Sequence, residues 1–247
     1  MKRILCLFVI ISFVTACKKE TETLIPVVTI ADLYPLAVGQ TFTYRLDSTI
    51  TQNFGASLTT VSYQAKDTIE SNFLDASGRN SFRIFRYLRD TAGTQPWFFA
   101  ATYYATITSN TVEFNDNNSR FITLANPVSY NNSWKGNSYI NTGTSSSSPL
   151  FFFYGWDYHY DNIDMPFNCQ KGTLQNTCTI IQQDSQDPIT GFDPTRLSEK
   201  KYSIEVYAKG VGLIYKEFLH YEWQVTPAPK YLEDRTYGVK LNLIDYK

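Results

Sequence analysis

From residue 41 onward, apolar and polar residues alternate with a period of two, and this pattern constrains the chain more than any other feature. In Thr41 to Ile50, the positions Phe42, Tyr44, Leu46 and Ile50 alternate with Thr41, Thr43, Arg45, Asp47 and Thr49. Phe82, Ile84 and Leu88 alternate with Ser81 and Arg83, and Tyr202, Ile204 and Val206 with Ser203 and Glu205. A period of two sends successive side chains to opposite faces of an extended chain, so each stretch reads as a strand with one wet face. Trp97 to Ile107 and Thr236 to Tyr246 add long aromatic and β-branched runs, the residue types that suit a pleated surface. Turn residues separate these runs at Asn53-Phe54-Gly55, Asp75-Ala76-Ser77-Gly78, Asp116-Asn117-Asn118 and Lys209-Gly210. Helical spacing is confined to Thr195 to Lys201. The expectation is an all-β fold of about nine to eleven strands with little helix, either a curved antiparallel sheet closing to a half-barrel or a β-sandwich.

The N-terminus speaks to location. Lys2 and Arg3 precede an apolar run from Ile4 to Val14, broken only by Ser12, and Val14-Thr15-Ala16-Cys17 matches a bacterial lipobox. The apolar run is shorter than the roughly 20 residues a membrane-spanning helix needs. The sequence predicts a lipoprotein signal peptide over 1–16, a lipidated Cys17 with a tether over 17–29, and one β domain over 30–247. Acyl chains on Cys17, at about 0.8 kcal/mol per buried methylene, would hold the protein at a membrane. The tract Lys18-Lys19-Glu20-Thr21-Glu22 is similar to surface-export signals but reads as a solvated linker, which leaves the leaflet open.

Cleavage after Ala16 removes two basic residues and no acidic one, taking the formal charge from −1 to −3. No basic stripe is present, so a nucleic-acid partner is not expected. Of four cysteines, Cys169 and Cys178 remain in the domain, and an even pair in an exported chain predicts a disulfide across a hairpin.

Three segments resemble a group of uncharacterised lipoproteins from Bacteroidota-type bacteria. They are Tyr34 to Tyr44 (YPLAVGQTFTY), Arg120-Phe121-Ile122 through Trp134-Lys135-Gly136-Asn137, and Tyr207 to Glu217 (YAKGVGLIYKE). Phe42 stands where that group commonly has Trp. The resemblance implies an outer-membrane lipoprotein. It also offers, at the level of fold analogy, a half-barrel sheet related to lipoprotein carriers. Gly39, Gly210 and Gly212 fit turns or close backbone approach.

No catalytic constellation is legible. There is no Gly-x-Ser-x-Gly elbow, and only His159 and His220 could serve as a base. His220 reads as a hydrated strand-face residue beside Glu222, without zinc-helix spacing. Asp157, Asp161 and Asp164, and likewise Asp184, Asp187 and Asp193, read as loop acids rather than calcium ligands. Neither metal nor cofactor is expected. The run Phe151 to Asp164 places Phe152, Tyr154, Trp156, Tyr158 and Tyr160 on one face of an extended chain. Core is the first reading, with Trp156, Tyr158, His159 and Tyr160 as the candidate ligand-binding set should the face be open. The sequence therefore predicts a non-enzymatic envelope lipoprotein with a membrane anchor and a protein, lipid or glycan partner. The alternatives are a surface protein that binds or degrades glycans, and a lipid carrier with a cavity lined by Phe42, Tyr44 and their strand neighbours.

Overall fold

The structure is a computed structural model, and it describes residues 28–145 and 148–247. The signal peptide, Cys17 and most of the tether lie outside the described residues. A short helix α1 (Ile30–Leu33) leads into β1 (Thr41–Gln52), β2 (Ser57–Leu74), β3 (Asn80–Arg89), β4 (Phe98–Ile107), β5 (Thr111–Asp116), β6 (Ser119–Ala125) and the two-residue β7 (Ser133–Trp134). A 3₁₀ turn at Phe151–Phe153 precedes β8 (Tyr158–Cys169), β9 (Gly172–Asp187), β10 (Ser198–Ala208), β11 (Gly212–Gln224), β12 (Lys230–Tyr231) and β13 (Tyr237–Tyr246).

Among the described residues, all thirteen strands belong to one antiparallel sheet in the order β6-β5-β4-β3-β2-β1-β13-β11-β10-β9-β8-β7, with β12 paired to β11. Sequential hairpins build each half, and β13 joins the halves by pairing with both β1 and β11. The sheet curls until its ends meet. Between β6 and β8 lies β7, with Trp134 opposite Tyr158 in the ladder to β8. On its other side the Ile122 amide donates to the Gly136 carbonyl at 2.8 Å, and the Trp134 indole donates to the Ile122 carbonyl at 2.8 Å. Past the end of β7 a side chain replaces the ladder: the Tyr160 hydroxyl donates to the Ala125 carbonyl (2.7 Å) and accepts from the Ala125 amide (3.1 Å). The result is a near-closed barrel, and the sandwich alternative is excluded. The strand count exceeds the expected nine to eleven because very short pieces such as β7 and β12 carry no readable period.

Two plugs occupy the interior. At one end α1 is fixed by a capping box: Asp32 accepts from the Thr29 amide (2.9 Å), and the Asp32 amide donates to the Thr29 hydroxyl. The Thr29 amide, and then the Thr29 hydroxyl that also donates to it, hold the Asp32 carboxyl below its usual range. Ile30 and Leu33 point inward, and the Asp32 carbonyl accepts from the Gly210 amide (2.8 Å), docking the plug on the β10–β11 turn. Gly39, Gly210 and Gly212 all have positive φ (+93°, +76°, +116°), which explains their type. Toward the other end, the 3₁₀ turn buries Phe152 and Phe153 together with Trp156 against Phe218.

Three local expectations are corrected. Residues 195–201 are not helical, because Ser198 already begins β10. Phe151–Phe153 is a 3₁₀ turn rather than an extended strand, so strict alternation starts only at Tyr158. Cys169 and Cys178 are free thiols. Cys169 pairs with Gly172 at the β8–β9 turn, whereas Cys178 lies six residues farther along β9, opposite Tyr207 of β10. That distance is about 20 Å along a strand, against the roughly 7 Å limit for Cα atoms joined by a disulfide.

Burial, and then the charges of Asp164 and Asp161, push the Cys178 thiol up to about 12. Iodoacetamide at pH 8 without reductant is therefore expected to label Cys169 and spare Cys178 until the protein is unfolded. Mass spectrometry that found neither thiol labelled before reduction would restore the disulfide.

Candidate functional site: the barrel lumen

Strand register places two acid–base pairs on facing walls of the lumen. Asp67 and Arg86 are direct cross-strand partners on β2 and β3, and Glu205 and Lys216 on β10 and β11. The first pair is bidentate, with Arg86 Nε and Nη2 each 2.6 Å from an Asp67 carboxylate oxygen. The Arg86 guanidinium also lies 4.8 Å from the Tyr103 ring centre and donates to its hydroxyl (3.3 Å). In the second pair Lys216 Nζ is 2.9 Å from Glu205 Oε1, and the Tyr207 hydroxyl donates to Glu205 Oε2 at 2.7 Å.

Glu205 is only 2 % exposed, so its polar atoms depend on these partners in place of water. Burial opposes the charge on Lys216, but attraction to Glu205 and the hydrogen bond outweigh it and hold the ammonium above its usual range. Burial, reinforced by Asp67 and Glu205, pushes the Tyr34 hydroxyl far above its ordinary pKa. Both acids act on one phenol, so the two walls share an electrostatic environment. Ser203 and Gln182 complete the polar lining with a 2.6 Å hydrogen bond.

These groups surround a cavity of about 150 Å³ bounded by the two plugs, with Tyr34, Phe42 and Ile69 at the α1 end and Phe153, Trp156 and Phe218 at the other. A cavity of that size accommodates a benzene-sized ring, and it is well below the roughly 300–1,000 Å³ typical of drug-sized ligands. It admits a ring or a few methylenes in this conformation, not a diacyl lipid.

The candidate residues divide. Trp156, Tyr158 and Tyr160 are 2 %, 1 % and 1 % exposed, which removes the sugar platform expected of an open aromatic face. Trp156 and Tyr158 instead form cavity wall, their polar atoms bonded to the Phe152 carbonyl (2.6 Å) and to Asn137 Oδ1 (2.7 Å). Burial keeps the Tyr158 phenol well above its ordinary range. Tyr160 serves the seam, and His159 lies on the opposite face of β8, paired with Ser133. The large exposed rings include Phe98 and Phe99 on β4, at 53 % and 56 %.

Asp67, Arg86, Glu205 and Lys216 escaped the sequence reading. Glu205 and Ser203 were placed on a wet face, yet they line the lumen while Tyr202 and Ile204 face outward. His220 is fully buried and points inward, not hydrated. It stacks on Phe152 at 4.0 Å on the far side of the aromatic plug, beside a second, more open pocket of about 240 Å³ lined in part by Glu199, Glu222 and Arg235. Counting back along the hairpin from the Gly210 turn would have set Glu199 opposite Tyr221; a bulge between Val206 and Tyr207 shifts the register by one and brings Glu222 there instead.

No protein-family model matches the sequence, and no curated protein matches it. Two crystal structures are similar to it. One is an inferred exported protein with YmcC-like fold from Bacteroides fragilis NCTC 9343, 11 % identical over 87 % of this chain and 99 % of that one, with a TM-score of 0.38. The other is an inferred lipoprotein from Parabacteroides distasonis ATCC 8503, 10 % identical over 87 % of this chain and 98 % of that one, with a TM-score of 0.40. At these scores neither similarity decides the fold or the function of the chain.

Proposed function

We propose that this chain is an outer-membrane lipoprotein, anchored through Cys17, whose barrel binds a small amphipathic molecule without transforming it. The observation that carries the reading is the lumen itself. It presents an apolar aromatic cap and, at its waist, fixed charges already satisfied by cross-strand partners. Such a lining suits a ligand with a ring or short-chain body and a polar end that hydrogen-bonds to the exposed edge of an ion pair. The lipobox supports the anchor, and the lipid-carrier alternative is narrowed to a single small group by the volume.

Native mass spectrometry of the full-length lipoprotein, gently solubilised from its own envelope, tests this. A discrete adduct is expected on the wild type and is expected to disappear in Ile84→Phe, which fills the cavity at a cost of about 1–3 kcal/mol. Cys17→Ala is expected to move the protein from the membrane to the soluble fraction. An adduct-free wild type would end the binding reading, and a membrane-bound Cys17→Ala would end the anchoring one.

A further inference from the structure

We propose that Glu199, His220 and Glu222 form a binding site for a divalent ion of the zinc class at the mouth of the barrel, on the far side of the aromatic plug from the lumen. Glu199 and Glu222 are direct cross-strand partners, and His220 sits two residues before Glu222 on the same inward face of β11. One donor atom from each lies within 4.8 Å of the others.

The independent observation is the environment of the imidazole. His220 is 0 % exposed, and both ring nitrogens face oxygen acceptors. Nδ1 faces the Arg235 carbonyl, which can only accept, so Nδ1 carries the hydrogen. Nε2 then faces Glu199 Oε1, 3.1 Å away, and two such atoms share a cation, either a proton on the line between them or a metal ion seated beside it. Bonds of about 2.0–2.1 Å to both atoms would subtend about 100° at a zinc ion, inside the tetrahedral range.

The surroundings match those of a metal-bound histidine, whose second nitrogen commonly donates to a carbonyl or carboxylate. Phe152 fixes the ring plane by stacking at 14°. Each carboxylate has an oxygen held by a cation: Lys201 Nζ is 3.0 Å from Glu199 Oε2, and Arg235 Nη1 is 3.3 Å from Glu222 Oε2. Those cations offset the repulsion between the two acids. One imidazole with two carboxylates selects a borderline ion over Ca²⁺, which needs six to eight oxygens.

Full-length protein in detergent, stripped with EDTA, is titrated with Zn²⁺ and then with Co²⁺. The expected result is one ion per chain with micromolar affinity, a visible Co²⁺ spectrum of four-coordinate type, and a loss of about 10–100-fold in affinity in both Glu199→Gln and Glu222→Gln. Circular dichroism should show both variants folded. Should either unfold, ¹⁵N spectra of the wild type decide, because Zn²⁺ must shift Nε2 of His220 and leave His159 unchanged. Absence of binding overturns the proposal, as does a stoichiometry that survives both substitutions or a zinc shift confined to His159.

Discussion

Arg86→Met is expected to destabilise the barrel by about 3–5 kcal/mol, the cost of leaving a buried carboxylate without its partner. The guanidinium and carboxylate are each only 12 % exposed and make two 2.6 Å bonds. For a domain of this size the melting temperature should fall by about 10 °C or more. Adding Asp67→Leu is expected to recover most of the loss, because removing both charges also removes their desolvation penalty. Thermal melts of the single and double variants read both effects. A single variant within about 1 kcal/mol of wild type would mean that water solvates the pair and that the lumen is wet.

Gly136→Ala is the second substitution with a large expected effect, about 1–3 kcal/mol by overpacking. A Cβ built on Gly136 falls 2.3–2.5 Å from three atoms of the Tyr158 ring. That ring is 1 % exposed, and its hydroxyl is tied to Asn137 Oδ1, so it cannot swing aside. The backbone must move instead, and with it the Gly136 carbonyl that accepts from Ile122. Hydrogen exchange at the Ile122 amide is thus expected to accelerate more than exchange in the β1–β2 hairpin. Equal acceleration in both places would show global destabilisation rather than an opened seam.

What could be read from the residues was the side of the sheet that meets solvent, and only where the other side is apolar. Phe42, Tyr44 and Leu46 of β1, and Phe82 and Ile84 of β3, face inward as their period indicates. In β10 the same rule inverted the faces, because the lumen carries Ser203 and Glu205. His220 was misplaced for the same reason. A polar residue in an alternating strand signals water only if no partner from another strand satisfies it, and partners such as Lys216 for Glu205 depend on register. Of the aromatic face read as core, Phe152, Trp156, Tyr158 and Tyr160 are buried, but Tyr154 is exposed. The 3₁₀ turn was hidden, since Phe-Phe-Phe has no period of its own. The cavity was illegible for a different reason: the residues that line a hollow are the same kinds that fill one.

The order of strands also sets when the chain can finish folding. β13 lies at the centre of the sheet between β1 and β11, and the Thr41 amide donates to the Lys247 carbonyl at 2.9 Å. The N-terminal half of the barrel therefore has an open edge at β1 until β13, Tyr237–Tyr246, has been delivered. Pairings this distant in sequence close slowly. A chain delivered N-terminus first would form its local hairpins early, yet β1 and β11 would each keep an open edge, and the two halves would stay unjoined until β13 arrived.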